Sequence, residues 1–275
     1  MSLPQLRHPG PVTGPRLEAV PCGAHPVTLR LRAGQTLAAA VAEALAAAGF
    51  GAGYLRLDGL HLAPLVWVIP APAPGDGRVA WFSAPRRLAA ARIEAGGVHL
   101  GQAGADPFCH CHGWWTGGDR QGIGHVLCED SLLAADAEVS GWGIAGAAFR
   151  RTDDPETGFP LFAPAADAAG AGAGAGAWLC RIRPNEDPAI ALAGLAPGRL
   201  RVEGLGSLVG ANFLGAAGVS GVAAEFLIER GTASRAGAAL HVAATGMSGE
   251  IHRGRLAPGR NAVCVTAELL VLPAP

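Results

Sequence analysis

One segment of this sequence occurs twice. The first copy runs from His110 to Val139 and the second from His241 to Leu269. Gly124 of the first copy aligns with Gly254, 130 residues later, and both copies end on a matching strand-like run, Ala-Glu-Val or Ala-Glu-Leu. In a chain of 275 residues, this repeat predicts two units of similar fold, each large enough for its own core.

The two copies differ in their histidines. The first copy has an HxH pair and a third histidine after a glycine-rich turn, whereas the second keeps a single histidine at the aligned positions. The aligned pairs are His110 with Ala239, His112 with His241, and His125 with Arg255. The three-histidine group thus exists in one half only, and this asymmetry is the best clue to function in the sequence.

The three histidines are candidate metal ligands. Residues i and i+2 of a strand point to the same face, so His110 and His112 project together. A hairpin closed at the intervening turn, TGGDRQG, brings His125 onto the neighbouring strand, close to the other two. Three convergent imidazoles suit zinc or another late first-row metal, with a fourth position open to water or substrate.

Composition and charge narrow the class of protein. Lysine and arginine number 21 against 22 acidic residues, for a formal net charge of −1, whereas dedicated nucleic-acid binders usually carry a basic stripe. The six cysteines form no CxxC pair and lack the density of a secreted disulfide scaffold. With no apolar signal core and no uninterrupted apolar run of membrane-spanning length, we expect a cytoplasmic protein without a membrane partner.

The apolar periodicity predicts mixed secondary structure in both halves. Alternating residues predict a strand at Pro26 to Arg32, and helical spacing predicts a helix at Gln35 to Ala48. In the second half, a strand at Trp178 to Arg183 precedes a helical segment near Pro188 to Leu195. We therefore predict an N-terminal domain at 20–150, a Gly/Ala-rich linker or loop at 151–177, and a C-terminal domain at 178–275.

Two sequence blocks resemble a known family. The HxH pair, glycine-rich turn, Gly-His pair and Ala-Glu-Val strand of the first copy look like the C-terminal half of the PPC domain, a domain of plants and prokaryotes. In the second half, EGLGSLVGANF, from Glu203 to Phe213, is similar to the family's glycine-and-serine segment. The resemblance covers most of residues 178–275 and, more loosely, 25–150.

The resemblance implies an α+β fold of two tandem PPC-like domains, each a bent antiparallel sheet flanked by helices, in a trimer-type homo-oligomer. It also implies that the histidine triad can hold a metal. The first half departs from the family's glycine-serine pattern and the second half lacks two of the three histidines. Either one complete site is divided between the two copies, or one site is supported by a second, pseudo-domain.

Other residues near the triad are candidates for the chemistry. Glu129 and Asp130 could act as catalytic carboxylates or orient the imidazoles. Trp114 and Trp115 could wall a small-molecule pocket, or could equally serve core packing or a subunit contact. His99 could join the pocket or the ligand set, although a lone histidine on a strand is more often structural.

Two functions follow from these observations. The first is a metal-dependent enzyme, such as a hydrolase or lyase, in which the metal polarises an oxygen of a small organic acid or carbonyl compound or activates water. The second, implied by the resemblance, is a DNA-binding or regulatory protein, in which arginines such as Arg86, Arg87 and Arg92 would gather on one face of an oligomer.

Overall fold

The structure is a computed structural model that describes residues 3–167, 176–195 and 198–274. The described part of the first half contains thirteen strands and one helix, α1 (Leu37–Ala47), which lies between the first and second strands. Its strands are β1 (Leu17–Leu31), β2 (Ala52–Arg56), β3 (His61–Leu62), β4 (Leu65–Val68), β5 (Pro70–Ala71), β6 (Trp81–Phe82), β7 (Arg86–Leu88), β8 (Ala91–Ala103), β9 (Asp106–Gly117), β10 (Arg120–Val126), β11 (Ala137–Ala145), β12 (Ala147–Asp153) and β13 (Pro160–Ala166).

The second half is built almost entirely of strands. Its one α-helix, α2 (Pro188–Ala191), continues into a single 3-10 turn at Leu192–Gly194. The strands are β14 (Ala177–Ile182), β15 (Leu200–Leu208), β16 (Ala224–Ser234), β17 (Gly237–Thr245), β18 (His252–Arg255) and β19 (Val263–Pro273).

The predicted α+β class is wrong, because the described residues form a predominantly β protein. They contain two α-helices, of 11 and 4 residues, rather than helices flanking each sheet. The helix predicted near Pro188 to Leu195 is α-helical only to Ala191 and continues as a 3-10 turn to Gly194, a residue type that disfavours further helix. Almost all the remaining apolar segments join strand ladders instead.

Helix α1 agrees with its prediction. Thr36 caps its first turn by accepting a hydrogen bond from the amide of Ala39 at 3.2 Å. Leu37, Val41 and Leu45 are buried against the first-half core, as their helical spacing predicts. Gly49 follows the helix with a φ of +87°, a conformation that a side chain disfavours and that ends the helix there.

One long strand connects the two halves. The N-terminal part of β1 pairs with β14 of the second half, from Leu17 opposite Ile182. Its C-terminal part pairs with β11 of the first half, ending with Leu31 opposite Ala137. The ladders of both halves are therefore joined by continuous backbone hydrogen bonding.

The three largest clusters of the apolar core comprise one in each half and one between the halves. The first-half cluster includes residues of β8 and β9, and the second-half cluster includes residues of β16 and β17. The third cluster brings Tyr54 and Phe149 of the first half against Leu179 and Leu270 of the second, all almost fully buried. The two halves are thus packed side by side across apolar surface.

Part of the predicted linker belongs to a hairpin. β12 pairs with β13, and the turn between them carries the buried carboxylates of Asp154 and Glu156. Arg181 of β14 and Arg183, which directly follows that strand, form ion pairs with these carboxylates at 2.6 to 3.2 Å, which ties the hairpin to the second half. Residues 168–175, the Gly/Ala-rich core of the predicted linker, lie outside the described residues. Within the described ranges, no helix has the length and hydropathy needed to cross a membrane.

Candidate functional site

The three predicted ligands lie together on two adjacent strands. His110 and His112 lie two residues apart on β9 and therefore on the same face of the strand. Strand β10 places His125 directly opposite His112 in the antiparallel register. One ring nitrogen of each histidine lies within 4.8 Å of a ring nitrogen of each other one. The local hairpin therefore suffices to gather the triad.

Hydrogen bonds fix which nitrogen each of the paired histidines presents. The Nδ1 of His112 lies 2.9 Å from the carbonyl oxygen of Phe226, which can only accept, so this nitrogen carries the proton. The Nδ1 of His110 contacts the Glu268 carboxylate in the same manner. The Nε2 atom of each ring is left with a free lone pair, the arrangement that outer hydrogen bonds typically impose on metal-binding histidines.

The surroundings keep the imidazoles of His112 and His125 uncharged. Burial lowers the pKa of His112 to about 3, with the neighbouring His110 as the next cause. The loss of hydration also lowers the pKa of His125 well below its usual range, and the nearby His110 and His112 lower it further. Neutral imidazoles do not have to lose a proton before they bind a metal.

The second half supplies the carboxylates that face the triad. The side chain of Glu268 is buried on β19, and Glu225 is buried at the start of β16. Burial, the largest influence on Glu268, opposes its ionisation, but His110, His99 and Arg181 together lower the pKa of this carboxyl. Glu225 accepts a hydrogen bond from the backbone amide of His125 at 3.1 Å.

A cavity of about 380 Å³ opens from the triad and has walls from both halves. The second half contributes Gly206 and Ser207, from the glycine-and-serine segment, and Thr266. A side chain at Gly206 would place its Cβ 2.5 Å from the carbonyl oxygen of Thr266, so the strands approach this closely only with glycine there. The apolar wall is mainly aromatic and includes Trp81, Phe82, Phe108, Phe159, Leu161 and Phe162.

Two predicted carboxylates lie elsewhere. Glu129 and Asp130 are exposed in the turn after β10 and do not line the cavity. The sequence analysis did not identify Glu225 and Glu268 as site residues. They contact His125 and His110, respectively, although they come from the other half. Only Glu268 had a signal in the sequence, its place in the repeated Ala-Glu motif aligned with Glu138.

The aromatic pocket candidates also lie outside the cavity. Trp115 is buried in the first-half core, with its ring 4.9 Å from that of Trp67. The indole nitrogen of Trp114 donates a hydrogen bond of 3.0 Å to Glu229, and Arg253 stacks over its ring. Trp115 thus packs in the core, one of the alternatives that the sequence left open, and Trp114 contacts the second half.

His99 supports the site from behind. It is buried, and its Nε2 donates to the backbone carbonyl of Glu268 at 3.1 Å. Burial lowers its pKa to about 4, so the ring is neutral at physiological pH. This contact positions the strand that carries the Glu268 carboxylate against His110.

The buried carboxyl of Glu225 makes stability depend on pH. Burial, the main cause, raises its pKa from 4.5 to about 8, although the His125 amide favours the charged form. The folded chain therefore keeps a proton that the unfolded chain releases above pH 4.5, so the stabilising contribution is complete below pH 4.5 and is lost as the pH rises through 8.

We expect Glu225→Gln, which cannot ionise, to remove this dependence. The free energy of unfolding of the variant relative to wild type should rise by about 1 to 3 kcal/mol between pH 5 and pH 8. Urea denaturation of chelator-treated protein at several pH values measures this difference. A difference that stays constant with pH would contradict the raised pKa.

Comparisons with known proteins give matches at the level of structure. No protein-family model matches the sequence, and no curated protein matches it. Among solved structures, a metal-containing protein from Archaeoglobus fulgidus is 21% identical, with a TM-score of 0.39, and the match covers 50% of this chain and 92% of that one.

Two further matches have similar extents. A protein from Ralstonia eutropha JMP134, described as a candidate DNA-binding protein, is 15% identical, with a TM-score of 0.40 and coverage of 50% of this chain and 89% of that one. A plant- and prokaryote-conserved (PPC) protein from Pyrococcus horikoshii is 14% identical, with a TM-score of 0.39 and coverage of 55% and 96%. The solved structures that this chain is similar to thus include a PPC protein, and each match spans about half of the chain.

Proposed function

We propose that this chain is a metal-dependent enzyme that acts on a small organic acid or carbonyl compound. The observation that supports this most directly is the position of the triad, whose three histidines line a mainly apolar cavity. His110, His112 and His125 would hold the ion, and their nitrogen donors suit zinc or another late first-row divalent metal. A hydrolase or a lyase would both use such a site.

The residues present fit a metal ion. Three imidazoles converge, and two of them have Nδ1 committed to a hydrogen bond, which leaves Nε2 available. The Glu268 carboxylate contacts Nδ1 of His110, the kind of outer contact that orients a metal-binding histidine. A bound divalent ion would supply a Lewis acid that polarises a substrate oxygen or lowers the pKa of water.

The cavity selects for a partly apolar substrate. Its aromatic wall, which includes Phe108 and Phe162, would pack against a hydrocarbon or aromatic body and exclude water from the reacting end. The carboxyl of Glu225 lines the cavity beside the backbone amide of His125, where it could hold a proton next to a reacting oxygen. A titratable group thus lies beside the residues that would hold the metal.

Arg151 is suited to binding the acid group of such a substrate. It lines the cavity and its guanidinium lies 4.9 Å from the centre of the Phe108 ring. Phe108 and His110 are two residues apart on β9, about 7 Å along a strand, so the guanidinium lies within reach of a small molecule bound at the triad. Among the described residues, no carboxylate lies within ion-pair distance of Arg151, whereas its neighbour Arg150 pairs with Asp167.

Turnover assays on the wild-type protein and on arginine variants test this proposal. We expect metal-loaded protein to turn over at least one compound from a panel of aromatic and aliphatic acids and carbonyl compounds, and chelator-treated protein to turn over none. Arg151→Ala should raise KM for the acid substrate by about 10- to 100-fold, because a charge-assisted hydrogen bond is lost.

Arg150→Ala is the matched control on the same strand and should leave KM unchanged. Activity that survives removal of the metal would overturn the metal-dependent mechanism. An equal loss in both arginine variants would instead assign Arg151 a structural role.

A further inference from the structure

The second half carries a groove with a concentration of positive charge. Strand pairing places Arg230 of β16, His241 of β17 and Arg255 of β18 directly opposite one another in a single row. The adjacent row contains Arg201, Thr232 and Ala239 on the same face, because residues two apart on a strand share a face. Side chains in such rows are about 5 Å apart at Cβ, close enough to bind one ligand together.

This face is the counterpart of the metal site in the repeat. Ala239, His241 and Arg255 align with His110, His112 and His125, and His241 opposes Arg255 just as His112 opposes His125. One potential ligand has become an alanine and another a permanent cation. The equivalent position in the second copy is therefore unsuited to a cation and suited to an anion.

Two arginines of the groove are fixed in place. Arg56, which reaches over from the first half, donates to both carboxylate oxygens of Glu203 at 2.7 to 3.1 Å. Arg201 donates to the same carboxylate at 2.6 Å and stacks over Trp142, with its Cζ 4.7 Å from the ring centre. Glu203 is fully buried and accepts hydrogen bonds from both guanidinium groups, so it orients both. Its single negative charge neutralises only one of the two positive charges.

The other arginines have free guanidinium groups. Arg199 and Arg230 line the same groove of about 570 Å³ and are exposed, and in the described part of the chain neither has a carboxylate within ion-pair distance. None of the described lining residues is acidic. The groove is therefore a local positive site on a chain whose net charge is −1.

We propose that this groove binds the phosphate groups of a small phosphorylated ligand. Guanidinium groups match phosphate oxygens bidentately, and orientation of two of them by Glu203 reduces the ordering cost of binding. The concave shape and the volume are those of a small-molecule site rather than of a long polyanion track. The proposal does not depend on the metal site, which lies on the opposite copy of the repeat.

Isothermal titration of the full-length chain with tripolyphosphate tests this assignment. We expect saturable binding of about one ligand per chain, weakened roughly tenfold or more in the Arg199→Ala/Arg230→Ala variant. Both residues are exposed, so the variant should fold, and it should retain the same metal content as wild type. Arg120→Ala, an exposed arginine at the tip of the first-copy hairpin, should bind tripolyphosphate like wild type.

Three results would overturn the proposal. The first is wild-type affinity in the double variant. The second is equal weakening by Arg120→Ala, which would reveal a diffuse charge effect. The third is binding of duplex DNA through these arginines, with the steep salt dependence of phosphate contacts, in the absence of tripolyphosphate binding.

Discussion

Replacing His110 and His112 together by Ala is expected to abolish stoichiometric metal binding. Wild-type protein should carry about one zinc or other late first-row ion per chain, because a site with three imidazole donors retains metal at neutral pH. Loss of two donors leaves His125 alone, and one imidazole does not hold an ion against buffer and water. Inductively coupled plasma mass spectrometry of untagged protein, prepared without chelator and after reconstitution, measures the change.

The second copy of the repeat supplies the control. His241 aligns with His112 but has Ala239 and Arg255 beside it, so His241→Ala should leave the metal content unchanged. Near-UV circular dichroism should show that the double variant remains folded. Equal metal content in wild type and double variant would place the ion elsewhere, and absence of metal from wild type after reconstitution would make the histidines structural.

Glu268→Gln is expected to weaken metal affinity by about 10- to 100-fold. The carboxylate contacts Nδ1 of His110, and its charge stabilises the ring in the orientation that presents Nε2. Glutamine keeps the volume and can still accept one hydrogen bond, but it removes the negative charge next to the positive ion. Competition with a chromophoric chelator measures the dissociation constant of each protein.

The repeat again gives a matched comparison. Glu138 is the residue of the first copy that aligns with Glu268, and it is exposed on β11. Glu138→Gln should therefore leave the affinity at the wild-type value. If both variants bound metal like wild type, the contact between Glu268 and His110 would have no influence on the ion.

The sequence alone determined the features that depend on local periodicity. Alternation along one strand put His110 and His112 on the same face, and a short turn put His125 opposite them. The spacing of Leu37, Val41 and Leu45 defined α1 because a helix repeats every 3.6 residues. All of these relationships join residues within about 15 positions of one another, where the backbone geometry leaves few alternatives.

Local periodicity did not determine the fold class. The segment after Pro188 has helical character, yet it forms one turn before the chain returns to strands. Whether a short apolar run becomes a helix or a strand depends on the neighbours against which it packs, so intrinsic propensity is a weak guide there. The same limit applies to Trp115, which is apolar enough for a pocket wall but packs in the core.

Only the tertiary structure decided what surrounds the triad. Glu268 reaches His110 from 158 residues away, and Glu225 reaches His125 from 100 residues away. These contacts arise because the two halves pack together through β1 and a shared apolar cluster, and no periodicity in the sequence records that packing. The histidine triad could thus be predicted from the sequence of one hairpin, whereas the carboxylates and the cavity come together only where the two halves meet.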